Sequence, residues 1–153
     1  MPKHSYHSKS LTFFIWTAMA LFIIFYPMLI SIYVFLPLLI GVMGYLLIYG
    51  IEEGKNEYIF ASLLYFTNLE INLSLPFFLM TISTLIVYVI FFHYLVHFRK
   101  CQICTPILTV LLLDFLYLGA LLTYDFIFQE TSVILDNILL YSLVIDLLMV
   151  VIL

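Results

Sequence analysis

Apolar residues run through this chain in long blocks, and short polar groups punctuate them. Residues 11–51 contain no Asp, Glu, Lys or Arg. A helix needs about 20 apolar residues to cross the hydrocarbon of a bilayer, so this first block is long enough for two crossings. Pro27 and Pro37 interrupt it, and proline breaks or kinks a helix by removing a backbone hydrogen bond. The pattern therefore predicts a first span near residues 11–30 and a second near 33–50. The polar segment Glu52, Glu53, Gly54, Lys55, Asn56, Glu57 follows. A short apolar piece, near 58–69, comes next. Asn68, Glu70, Asn72 and Ser74 predict a polar turn before Pro76. A fourth span, near 76–98, stops at Arg99 and Lys100. A fifth runs near 103–128, a turn occupies 129–132, and a sixth runs near 133–153.

Charge placement tests this count. Cytoplasmic loops of membrane proteins carry the excess of Lys and Arg. With six segments and a cytoplasmic N-terminus, Lys3, Lys9, Lys55, Arg99 and Lys100 all fall on the inner side. If residues 11–51 formed one span, Lys3 and Lys9 would lie opposite the other three. The third segment, at about 12 residues and 18 Å, reads either as a short tilted helix or as half of a re-entrant hairpin. Both place Lys55 and Arg99 on the same side. The expected fold is thus an all-α polytopic membrane protein with about six transmembrane helices, very short loops, and both termini cytoplasmic.

Composition agrees with this pattern. Hydrophobic residues make up 66% of the 153 and charged residues 9%, against about 25% charged in soluble domains. Mean hydropathy is +1.24. This excludes a soluble enzyme, a nucleic-acid binder with a basic face, and a disordered chain. Membrane lipid is the expected solvent and partner. Residues 1–10 read as a cytoplasmic N-terminal segment and 11–153 as one transmembrane helical domain. Ala18-Met19-Ala20 imitates a signal-peptidase site, but about eight apolar residues precede it and the apolar run continues, so the first helix reads as uncleaved. Two cysteines cannot build a disulfide framework. Rings such as Trp16, Tyr58 and Tyr94 fall near span ends, as in an interfacial belt. Tyr88, Tyr117 and Tyr141 fall nearer span centres, where their hydroxyls need partners between helices.

Few residues inside the spans carry chemistry. Asp114 falls near the middle of the fifth span, where a bare carboxylate costs about 2.5–3.5 kcal/mol by insertion scales. Asp146 falls in the sixth. Asp125 shares a helix face with Asp114, three turns away, and Asp125 and Asp136 flank the last external turn. The acids form either a stripe that binds a cation, proton or ligand amine, or protonated or Tyr-bonded groups that fix helix packing. No span holds a Lys or Arg to pair with them.

A second set is His93, His97, Cys101 and Cys104. Two imidazoles and two thiolates suit tetrahedral zinc. On one continuous helix the four side chains share an arc of about 80°, yet His93 and Cys104 stand about 16 Å apart, too far for one metal. The plainer reading lines the inner end of the fourth span with the histidines and leaves the cysteines as reduced loop residues. A His93–Asp146 contact is an alternative, since the two fall at similar depth. Glu70, with Asn68 and Asn72, reads either as a polar mouth or as a solvated loop. Gly41 and Gly44 permit a close helix crossing. No phosphate loop, nucleophile elbow or HExxH helix is present, and the expectation is a protein that is not an enzyme and has no cofactor.

Three stretches resemble the rod shape-determining MreD family. Pro37-Leu38-Leu39-Ile40, leading to Tyr45-Leu46-Leu47, resembles that family's proline and aliphatic run in the second span. Ala61-Ser62-Leu63-Leu64-Tyr65-Phe66, with Leu73-Ser74-Leu75-Pro76, resembles its short helix, small turn and next helix. Ile138-Leu139-Leu140-Tyr141, running into Leu147-Leu148-Met149, resembles its last span. Ser62 and Phe66 stand where the family usually carries a glycine and an aspartate, with Glu70 one turn later. The resemblance implies a non-enzymatic scaffold, multi-pass in the bacterial inner membrane. Its implied role is to couple cell-shape and peptidoglycan-elongation machinery, with an MreC-like protein and cell-wall synthases as partners. Lys55, Arg99 and Lys100 would then meet anionic headgroups or a filament at the cytoplasmic rim. The competing expectation is a small-molecule or ion binding or transport subunit, in which Asp114 and Asp146 face a shared cavity. A third, metal- or redox-responsive class depends on the His/Cys set.

Overall fold

In a computed structural model the chain folds into helices α1 (Ser5–Ile32), α2 (Ile40–Glu53), α3 (Asn56–Asn72), α4 (Leu79–His97), α5 (Cys104–Phe128) and α6 (Asn137–Ile152). The structure describes residues 5–33, 35–97, 104–129 and 137–152. No strand occurs among them. Among the described residues one helix, α5, is long and apolar enough to cross a membrane, and Trp16–Ile32, Leu79–Phe91 and Tyr141–Ile152 are shorter apolar helical segments.

The central element is α2, which packs against α3, α4, α5 and α6, while α1 lies outside against α3. Most of α2 is buried as a result. Its glycines set the distance to α5. A methyl group placed on Gly41 would lie 2.6 Å from Val110 Cγ1, and one on Gly44 would lie 2.7 Å from Leu113 Cδ1. The close crossing expected from Gly41 and Gly44 is therefore present, and small residues let the two backbones approach. The exterior is apolar instead. Val89, Phe126 and Ile152 are 75%, 85% and 82% exposed.

Pro27 lies inside the first helix, as in the expected span over 11–30. α1 begins at Ser5 and continues through Pro27 to Ile32. Proline has no N–H, so the carbonyl four residues earlier, on Ile23, loses its helical donor. Asn68 on α3 supplies a replacement. Its Nδ2 donates to the carbonyls of Ile23 at 3.0 Å and Ile24 at 2.9 Å. The break comes later, around Pro37. Leu39 adopts the left-handed region at φ 51°, and α2 starts at Ile40, seven residues beyond the expected start.

The third helix is also longer than expected. α3 has 17 residues, about 25 Å, and Asn68, Glu70 and Asn72 belong to it. The turn falls at residues 73–78 instead, where Ser74 and Phe78 are left-handed. The polar residues are helical because each finds an internal hydrogen-bond partner, so their polarity does not require solvent. At the other end of the α2–α3 connection, Gly54 at φ 65° ends α2. Lys55 N–H closes that end on the Gly50 carbonyl at 2.9 Å, a bond that satisfies one of the last carbonyls of α2.

Candidate functional site

The break at Pro37 exposes backbone donors and acceptors in the middle of the bundle, and side chains from four helices converge on it. Leu38 N–H donates to Ser142 Oγ at 2.9 Å, and Gly41 N–H donates to Asp146 Oδ2 at 2.9 Å. Both acceptors lie on α6 and cap the start of α2, whose own N-cap residue, Leu39, has no side-chain cap to offer. The first N–H groups of a helix lack intrahelical partners, and a carboxylate there is stabilised by the helix dipole. The carbonyls are met from the other side. Tyr26 OH on α1 donates to the Pro37 carbonyl, and Tyr65 OH on α3 donates to the Leu38 carbonyl, each at 2.8 Å.

Asp114 on α5 borders the same point. The position that a Cβ on Gly41 would take is 3.1 Å from both carboxyl oxygens of Asp114. Asp146 is 1% exposed. One oxygen of each acid, Asp114 Oδ2 and Asp146 Oδ1, is buried without a hydrogen-bond partner. The two acids singled out from the sequence are thus brought together around Gly41. Asp125 on α5 is half-buried, and Asp136 lies outside the described residues.

Glu70 is the clearest correction. It is 1% exposed, so it belongs to neither a solvated loop nor an open mouth. Its Oε2 accepts from Phe78 N–H at 2.7 Å and its Oε1 from Met80 N–H at 2.8 Å. Its own carbonyl accepts from Leu75 N–H at 2.9 Å. One residue therefore ends α3 and caps α4. The same connection explains the strained Phe78: its left-handed backbone turns its N–H onto a buried carboxyl group.

The His/Cys set is not supported as drawn. Cys104 is disulfide-bonded, which corrects the expectation of a reduced thiol and removes its sulfur as a thiolate ligand. Cys101, the only other cysteine in the sequence, lies outside the described residues. So do Arg99, Lys100 and the side chains of His93 and His97, and with them the His93–Asp146 contact. Tyr117 was expected to find a partner for its hydroxyl, but that hydroxyl is buried with none.

At the α2–α3 rim, Lys55 Nζ donates to Tyr49 OH at 3.1 Å and stands 4.9 Å and 5.8 Å from the centroids of the Tyr49 and Tyr58 rings. The bond to Tyr49 holds the Lys55 ammonium above the ordinary lysine range. The lysine is thus an anchored cation over two aromatic faces.

Sequence reading missed Ser142, Tyr26, Tyr65 and the role of Asn68. One signal was available. It concerns Asn68: a proline inside a helix orphans the carbonyl four residues earlier, and a polar side chain at matching depth on another helix is its natural donor. No protein-family model matches the chain, and no curated protein or solved structure matches it.

Proposed function

We propose that the chain is an integral membrane scaffold of the bacterial inner membrane, crossing it about six times, with a role similar to that of the MreD family. It couples cell-shape and peptidoglycan-elongation machinery through helix contacts, with an MreC-like protein and cell-wall synthases as partners, and performs no chemistry of its own. One observation carries this reading: six polar side chains inside the bundle are turned onto broken backbone. Asn68 serves the Pro27 kink, Glu70 the α3–α4 turn, and Ser142, Asp146, Tyr26 and Tyr65 the α2 start. Backbone groups inside a bilayer must be satisfied within the protein. These side chains therefore brace a bundle whose outer faces stay apolar and available to partner helices and lipid.

A second reading rests on a separate observation. The unmatched oxygens Asp114 Oδ2 and Asp146 Oδ1 favour a proton- or cation-binding subunit, because intramembrane carboxyls without partners are costly. Replacing both acids by Asn in cells separates the two. Asn keeps an acceptor for Gly41 N–H and removes the charge. The scaffold reading expects normal cell shape and normal protein amount. Loss of function with normal protein amount would instead favour the ion-binding subunit.

A further inference from the structure

The outer surface is not uniform. Between α1 and α3 runs a groove of about 320 Å³, lined by Trp16, Ala20 and Ile24 on one side and by Glu57, Ala61 and Leu64 on the other. Each set recurs at helical spacing, so each forms one continuous wall. The lining is apolar throughout, and Glu57, in the first turn of α3, borders it at the 52–57 rim. From Glu57 to Leu64 the wall is about 10 Å long. That is about one third of a 30 Å hydrocarbon core, so the groove lies within a single leaflet.

These features choose the occupant. A partner transmembrane helix needs a seam at full bilayer height, and this groove is too short to provide one. An acyl chain entering from the rim fits both the depth and the apolar walls. The headgroup would then sit at Glu57. The rim also carries Glu52 and Glu53, which disfavour an anionic headgroup. Within residues 52–57 the one cation, Lys55, is turned onto Tyr49. A primary ammonium complements this end.

We propose that the α1–α3 groove seats one acyl chain of a phospholipid with a primary ammonium headgroup, and that Glu57 holds the ammonium. The site rests on the membrane reading of α1 and α3 and does not depend on which partners the protein has.

The test uses the full chain, purified from membranes and placed in nanodiscs of equal phosphatidylethanolamine and phosphatidylglycerol with identical acyl chains. Retained lipid is then counted by native mass spectrometry. Exposed ion pairs are weak, so the expected preference for phosphatidylethanolamine is about two- to fivefold. Glu57→Gln abolishes the preference and leaves the total retained lipid unchanged. Ala61→Phe fills the groove and removes the retained lipid. Glu57 is exposed, so the Gln variant keeps the test valid even if Ala61→Phe fails to fold. Equal retention of the two lipids by the wild type, or an unchanged preference in Glu57→Gln, overturns the proposal. A dimer that Ala61→Phe dissociates would show that a second copy occupies the groove, and would overturn it too. Recovery of the chain outside the membrane fraction would remove the membrane reading itself.

Discussion

Asn68 donates to the carbonyl of Ile23, the group that Pro27 leaves without a helical donor. The pairing lets α1 keep its course through a proline and ties α1 to α3. Removing the amide leaves the Ile23 carbonyl without a donor and takes the second donor from Ile24, at about 1–3 kcal/mol. Asn68→Ala is expected to lower the unfolding temperature in detergent. In a Pro27→Ala background the Ile23 carbonyl regains its own helical donor, so the same substitution should cost clearly less. A double-mutant cycle checks this, and additive effects would separate Asn68 from the kink.

Glu70 makes a stronger demand. Two N–H groups share its carboxyl, and Glu70→Gln presents an amide N–H₂ to at least one of them. Glu70→Gln should therefore destabilise by about 1–3 kcal/mol, and Glu70→Ala by more. Hydrogen exchange locates the effect. The amides of Phe78 and Met80 should exchange faster in both variants, while those in the middle of α5 keep their protection.

The glycines divide into two kinds. A Cβ on Gly44 meets Leu113 Cδ1 at 2.7 Å, whereas one on Gly119 meets nothing within 4 Å. Gly44→Ala should lower stability by about 1–3 kcal/mol through overpacking. Gly119→Ala should raise it by about 0.5–1 kcal/mol, since glycine in a helix interior costs that much relative to alanine. Thermal unfolding of the two variants should move in opposite directions.

Cys104 is disulfide-bonded. Denatured protein should resist maleimide until a reductant is added, and then gain two labels per chain by mass. Labelling without reductant would leave a thiol free at the start of α5.

Much of the helical plan was legible. Long apolar blocks and the polar groups at 52–57 and 99–100 located α3, α4, α5 and α6 to within about four residues at each end, because burial in lipid and burial in protein both favour unbroken apolar runs. What misled was polarity inside a helix. Asn68, Glu70 and Asn72 looked like a turn because a sequence shows a polar side chain without showing its partner. Asp114 and Asp146 were legible as unusual groups, since each stands alone in an apolar run. Their convergence on Gly41 was not, because it depends on how α5 and α6 pack around α2. Ser142 and the tyrosines were hidden among many similar residues, and only the backbone they serve distinguishes them.

The central claim is that the protein works through its helix surfaces on membrane partners. The most direct measurement is affinity purification from gently solubilised native membranes, followed by mass spectrometry. The scaffold reading expects an MreC-like protein and cell-wall synthases, recovered equally with wild type and with the double Asp114→Asn, Asp146→Asn variant. Recovery of ATPase or transporter subunits in their place, lost in the double variant, would contradict it and move the function to the two buried acids.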